Sequence, residues 1–396
     1  MLYIIFFLLL GYVLIFLTNT RQCGVIALVL SIAYLILAYP SGNDWLGYFS
    51  NYDCIWNDVC QPDSVYFEPG YTFLVYALGF AGYYLFSIIL SGLVLIRLYY
   101  FCCKFDKPAL VFSFFMAMFI WVLYFEAIRQ ALALTFILSA IIEVYRQRKM
   151  RFILFVLAAS LFHTSAFIFV VMLIPMLNCR LSKKLETLVL IFACCFILIP
   201  EQLISFLISC MPSNSPVALK LYFYLNTEQY KPQLSIGIGA LFDLVLIYVI
   251  VFSRRLIYSL NYHTNDKYYY MNAVTSFGVV LFITFAILIG KVMPVMTRVG
   301  WYFFPFIVFC IYVNLGRSII FPYIPTKNIF IKYLIFLFMA IQTLRPFMYD
   351  ISRYNLVTQK TIVQRIDDLT DSQLRLEAKK KCDVLYSLDA GFLCSL

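Results

Sequence analysis

Apolar residues come in long runs along this chain, separated by short polar links. The runs lie at about 2–17, 23–40, 83–101, 108–126, 130–145, 152–162, 164–177, 185–200, 236–252, 271–289, 299–315 and 329–344. An apolar stretch of roughly 17–25 residues crosses the hydrocarbon of a bilayer as a helix. A helix is also the open-ended element that satisfies its own backbone groups there. The pattern predicts an all-α, polytopic integral membrane protein of about 12 helical segments, some of them short re-entrant or hairpin helices. Residues 69–82 are apolar but too few to cross twice, and read as a re-entrant or interfacial helix. The first run begins at residue 2 without a charged leader or a small-residue cleavage site, so it reads as a span and not a signal peptide. The expected organisation is one transmembrane helical domain over 1–344, with outer loops at 41–82 and 201–235, followed by a polar tail at 345–396.

The polar links orient the spans. The loop 41–68 has no Lys or Arg but carries Asp44, Asp53, Asp58, Asp63 and Glu68, which places it outside. Residues 146–151, Arg-Gln-Arg-Lys-Met-Arg, belong inside. The stretch 152–177 reads in two ways. One helix of that length sends the basic loop 179–184 outside, whereas two short helices turning near His163 return it to the inside. The hairpin places 8 Lys and Arg of the later short loops inside and 4 outside, and one helix reverses that. The hairpin is preferred, although its helices, about 20 Å each at 1.5 Å per residue, are too short to span unaided. Parity then puts the tail outside despite Lys379, Lys380 and Lys381.

Composition agrees. Apolar residues make up 63% of the chain and charged ones 13%, against about 25% in soluble domains. That leaves too few charges to cover a wetted surface, so most of the surface faces lipid. The net charge of +10 resides in loops, as the positive-inside bias predicts, and does not point to nucleic acid. Most of the 40 Phe and 31 Tyr are accounted for by helix packing and interfaces. Of 12 cysteines, Cys102, Cys103, Cys194, Cys195 and Cys310 act as small apolar residues. Cys54 and Cys60 share the acidic loop and are expected to pair, since that loop faces an oxidising compartment. With no Cys-x-x-Cys pair and two histidines, no zinc site or other metal or cofactor is expected. No hydrolase elbow, P-loop or Gly-rich dinucleotide turn is present.

Ionisable groups at membrane depth usually have a partner or a role, and here they gather at outer ends of spans. Arg129 opens a helix in Phe125-Glu126-Ala127-Ile128-Arg129-Gln130, and Arg298 opens another in Thr297-Arg298-Val299-Gly300-Trp301-Tyr302. His163 stands at the hairpin turn, and Asp44, Tyr48, Tyr52 and Glu68 lie in the acidic loop. Each also has a plain reading. Arg129 pairs with Glu126 along one helix face, Arg298 snorkels to the interface, His163 packs, and the loop acids are solvated. Two arginines with carboxylates in one outward cavity would suit a phosphate-bearing lipid, because guanidinium grips phosphate bidentately and keeps its charge. Asp243, inside the 236–252 run, is the one deep acid and keeps a transporter reading open.

In order along the chain, these motifs resemble the EpsG-type, Wzy-like polymerases of bacterial surface polysaccharide. The resemblance rests on Asp44-x-x-x-Tyr48-x-x-x-Tyr52, Phe67-Glu68-Pro69-Gly70-Tyr71, Ile128-Arg129-Gln130-Ala131-Leu132-Ala133 and Phe162-His163-Thr164-Ser165-Ala166. Arg298-x-x-x-Tyr302 and Arg345-Pro346-Phe347-Met348-Tyr349 complete it. It covers about residues 40–350; the tail from Asp350 is longer than the family pattern. The resemblance implies a fold like the GT-C-like polymerase class, in the bacterial inner membrane with its active site facing the periplasm. It also implies a glycosyltransferase that polymerises undecaprenyl-pyrophosphate-linked oligosaccharides, with membrane lipid, a chain-length regulator and a flippase as partners. In that reading Arg129 and Arg298 bind pyrophosphate, and Tyr48, Tyr52 and Tyr302 line the sugar groove. The base falls to Asp44, Glu68 or His163. The alternatives are a polysaccharide ligase and a lipid-linked oligosaccharide flippase or transporter.

Overall fold

The computed structural model describes residues 2–16, 20–38, 42, 44–60, 67–212, 215–226, 231–232, parts of 239–248, 266–312, 329–359, 361–364, 370–387 and 394. Among them every regular element is helical, apart from one isolated bridge between Ala38 and Thr361.

Helices α1 (Leu2–Phe16) and α2 (Thr20–Leu37) pack side by side and lead to a polar helix, α3 (Trp45–Asn57). Asp58 closes α3 in the left-handed region at φ 55°, which Asp tolerates better than most residues. Helix α4 (Pro69–Leu78) begins with Pro at its first position, where a missing N–H costs nothing. Gly82, at φ 83°, turns the chain from a short 3₁₀ piece into α5 (Tyr83–Cys102). The expected short helix over 69–82 is thus present. Next come α6 (Pro108–Phe119), a π-helical piece Ile120–Phe125, and α7 (Ile128–Tyr145). The apolar run expected over 108–126 reaches only Tyr124, which leaves Glu126 beyond its end.

The chain reverses at His163. Helix α8 (Lys149–Ser160) ends there, and a 3₁₀ run Thr164–Met172 continuing into α9 (Leu173–Leu177) folds back on it. The rings of Phe152 and Phe169 lie 6.0 Å apart. In one continuous helix, 17 residues would separate them by about 25 Å. Asn178 then caps α10 (Cys179–Leu198), its side chain accepting from the N–H groups of Arg180 and Leu181. Pro200 breaks that helix, and α11 (Pro200–Ser209) departs at 111°. The remaining helices are α12 (Pro216–Asn226), α13 (Asp266–Phe282), α14 (Val295–Gly300), α15 (Phe304–Tyr312), α16 (Ile329–Leu344), α17 (Asp350–Val357) and α18 (Asp371–Ser387). A second π piece, Ile283–Leu288, and a short 3₁₀ turn precede α14.

Three helical stretches are long and apolar enough to cross a membrane: Tyr83–Cys102, Ile128–Tyr145 and Tyr269–Lys291. The bent pair α10–α11 makes a fourth, and Leu2–Leu14, Arg21–Leu37, Pro108–Tyr124, Thr164–Leu177 and Val295–Cys310 are shorter apolar helices. Among the described residues the helical stretches follow the apolar runs closely, and several are too short to cross alone. Most of the run 236–252, and the basic links near 254–255 and 317, lie outside the described residues. A core rich in aromatic rings joins α1 to α18, with Phe115, Phe119 and Phe304 fully buried at its centre.

The tail packs on the bundle. Arg375 of α18 grips Asp53 of α3 at two points, Nε–Oδ2 2.5 Å and Nη2–Oδ1 2.6 Å. Asp371 accepts from Tyr52, Asn57 and the N–H of Tyr83. Disulfides join Cys54 to Cys60, as expected, and Cys382 to Cys394.

The reversal at His163 has a direct test. Single cysteines at Gln147 and Lys184, in a background with the other cysteines replaced, should both resist a membrane-impermeant maleimide in intact cells, while one at Asp58 labels. Labelling at Lys184 with protection at Gln147 would restore the single helix.

Candidate active site on the face carrying α3

Segments far apart in sequence meet where α4, α7 and α14 begin. Ala127, at φ −119° and ψ 55°, interrupts the helix after the π piece, so Arg129 falls in the first turn of α7. Its guanidinium pairs with the carboxylate of Glu68, the residue before α4. It also lies 3.7 Å over the Phe67 ring and 5.5 Å from that of Tyr48. The alternative pairing with Glu126 does not form. Residues three apart meet only along an unbroken helix, and Ala127 breaks this one.

Glu68 is shared. Its Oε1 accepts from the Thr164 N–H at 3.1 Å and faces the Thr164 hydroxyl at 3.5 Å. Burial pulls its carboxyl upward, but Arg129 and these N–H donors outweigh burial and hold it below its ordinary value. Beside it, the Gly70 N–H donates to the Leu161 carbonyl at 2.8 Å. A Cβ on Gly70 would stand 2.7 Å from that oxygen, so only glycine lets α4 dock on the turn.

Arg298, on α14, pairs through Nη2 with Asp44 Oδ2 at 3.0 Å. The side-chain amide of Gln130 donates to the Arg298 carbonyl, tying the starts of α7 and α14 together. His163 Nδ1 lies 2.6 Å from the Ser165 hydroxyl, which lies 3.3 Å from the Tyr302 hydroxyl. Asp44, Tyr48, Glu68, Arg129, His163, Arg298 and Tyr302 are thus linked through contacts on one face. Tyr52 is not. It is fully buried, with its hydroxyl donating to the Gly79 carbonyl and meeting Asp371. Tyr302 is fully buried as well. Behind Tyr48 lies a small cavity of about 70 Å³ lined mainly by aromatic and aliphatic groups, among them Trp45, Tyr71, Tyr83, Phe86 and Tyr124.

Gln130, Thr164, Ser165 and Gly70 carry contacts that residue type alone did not mark, although all four lie inside the quoted motifs. Asp243 is held in an ion triad, 2.5 Å from Lys291 Nζ and 3.4 Å from Arg345 Nη1. Among the described residues no three His, Cys, Asp or Glu side chains converge as metal ligands.

A model of the EpsG family matches residues 23–356, which takes in the linked groups from Asp44 to Tyr302. The chain belongs to the EpsG family. No curated protein and no solved structure matches it significantly. EpsG membership suggests a membrane protein with a polysaccharide-polymerase type of role, consistent with glycosyltransferase-like chemistry on lipid-linked sugars.

Two variants test the geometry around Glu68. Gly70→Ala should cost about 2 kcal/mol by overpacking and lower the unfolding temperature of the detergent-purified protein; an unchanged temperature would mean that α4 does not dock on the turn. Because Glu68 titrates lower in the folded state, its contribution is complete above about pH 4.3 and is lost on further acidification. Glu68→Gln should abolish that acid-dependent loss, read as unfolding temperature against pH.

Proposed function

We propose that this EpsG-family protein is a membrane glycosyltransferase that joins oligosaccharide repeat units carried on undecaprenyl pyrophosphate, at the periplasmic or outer face of the bacterial inner membrane. The convergence of Arg129 and Arg298, linked through Gln130, supports this reading most strongly. As the anomeric C–O bond breaks, negative charge builds on the departing pyrophosphate, and cations already fixed in place stabilise it without rearranging. Each guanidinium has five N–H donors. Asp44 engages Arg298 through a single nitrogen, so donors remain for phosphate oxygens.

Two disulfides lie on the same face as the site, one in the α3 loop and one in the tail that clasps α3. Disulfides persist in oxidising compartments, which supports an outward orientation. A growing chain, a flippase and a chain-length regulator are the partners this chemistry calls for.

Deleting the gene and running the surface polysaccharide on a gel separates the candidate roles. Polymerase loss leaves single repeat units on the final carrier. Ligase loss strands polymer on undecaprenyl, and flippase loss leaves neither. Arg129→Lys and Arg298→Lys should each lower the yield of long polymer at least about a hundredfold at unchanged protein level, because lysine keeps the charge but loses the planar fork. Wild-type chain lengths in either variant would remove that arginine from the pyrophosphate site.

A further inference from the structure

Three candidate proton acceptors at this site are already engaged. Arg298 holds Asp44 at 3.0 Å, Arg129 and Thr164 hold Glu68, and Ser165 holds His163 at 2.6 Å. Glu126 is different. It stands at the break before α7, and its Oε1 is buried with no hydrogen-bond partner. Gly42, at φ 94°, lies directly against it: a Cβ there would stand 3.0 Å from Cγ and 3.2 Å from Oε1 of Glu126. The charges facing Glu126 come from three other elements. They are Asp44 before α3, Arg298 on α14 and Lys381 on α18. Arg129, next along its own chain, is taken by Glu68.

Lys381 reaches this place because the tail is clasped down. Arg375 and Asp371 fix the first turns of α18 to α3 and α5. The Lys381 ammonium then donates to the Asn355 side chain on α17 and lies 5.5 Å from the Tyr354 ring. Its neighbour Cys382 is bonded to Cys394.

We propose that Glu126 accepts the proton of the acceptor sugar's hydroxyl, and that the C-terminal helix belongs to the active site because it brings Lys381 to face that carboxylate. This rests on the polymerase reading above. In the step, the acceptor oxygen forms its bond to the anomeric carbon as its proton passes to the Glu126 carboxylate. The bond from that carbon to the pyrophosphate oxygen breaks, and undecaprenyl pyrophosphate leaves with the electron pair. The electrostatics suit the task. Burial, and then the like charge of Asp44, push Glu126 up to about 8 against the pull of Arg298 and Lys381. Burial lowers Lys381 to about 8, with Glu126 opposing. A general base works best when it titrates near the working pH.

The test uses the full-length protein in proteoliposomes, supplied with lipid-linked repeat units extracted from a strain that lacks it. Polymer formation is followed from pH 6 to 10. The wild-type rate should rise with pH and level off above about 8, where Glu126 is ionised. Glu126→Gln should lower kcat at least about a hundredfold with KM for the lipid-linked acceptor within about twofold, and Glu126→Asp should keep part of the activity. Lys381→Met removes a cation that favours the ionised carboxylate, so its rising limb should move to higher pH by roughly one unit. This variant decides the matter even where Glu126→Gln does not accumulate. A wild-type rate in Glu126→Gln, or an unmoved limb in Lys381→Met, overturns the proposal while leaving the polymerase reading intact. A wild type that makes no polymer from these units overturns the polymerase reading, and this one with it.

Discussion

One carboxylate, Glu68, holds the face of the molecule that carries α3 together. It meets the Arg129 guanidinium at the start of α7 and the Thr164 N–H just after the reversal at His163, while its neighbour Gly70 bonds the carbonyl of Leu161. Three segments separated by up to 96 residues are set in register by one side chain and one missing Cβ. A partly buried ion pair is a modest source of net stability, because desolvation cancels much of its attraction. Its effect is on arrangement, since any slippage would leave an arginine buried without its partner. The rest of the site follows from that register. With α7 fixed, Gln130 reaches the Arg298 carbonyl, and with the turn fixed, Ser165 reaches both His163 and Tyr302.

The helical, membrane-embedded character of the chain was legible from its apolar runs, and the reversal near His163 from the placement of basic loops. The rings of Phe152 and Phe169 now show that reversal directly. Local helix geometry was less legible than length. Hydropathy marks an apolar run but not the π geometry of Ile120–Phe125 or the 111° angle at which the chain departs after Pro200. The short motifs marked the right neighbourhood because arginine at membrane depth is costly without a partner. Which partner each arginine takes was hidden. Glu126 is three residues from Arg129 in sequence, but the backbone break at Ala127 separates them and Glu68 comes across space instead. Tyr52, three residues and one turn beyond Phe49, shares the polar helix with Tyr48 yet faces α18 and the core, because the tail that covers it is remote in sequence.

The tail shows the same limit. Parity put it outside as a polar segment, and nothing in its own pattern pointed to Asp53. Only the folded chain brings Arg375 to that carboxylate, Asp371 to Tyr52 and Asn57, and Lys381 to the face with Arg298. The cations of this face therefore come from α7, α14 and α18, and the acids from the links before α3, α4 and α7. Such a surface is built from element ends and not from one continuous motif. A phosphate-bearing substrate approaching from the polar side would meet guanidinium groups already fixed by Glu68 and Asp44.

Everything in the functional account depends on these arginines handling a pyrophosphate that leaves as each glycosidic bond forms. The most direct measurement is the stoichiometry of that exchange in proteoliposomes containing this protein as their only enzyme. Radiolabelled lipid-linked repeat units are supplied, and polymer and free undecaprenyl pyrophosphate are quantified together over time. The account predicts a ladder of lipid-linked chains with one undecaprenyl pyrophosphate released for each repeat joined. Units that cross the bilayer unjoined, or sugar that moves to another acceptor without lengthening, would contradict it.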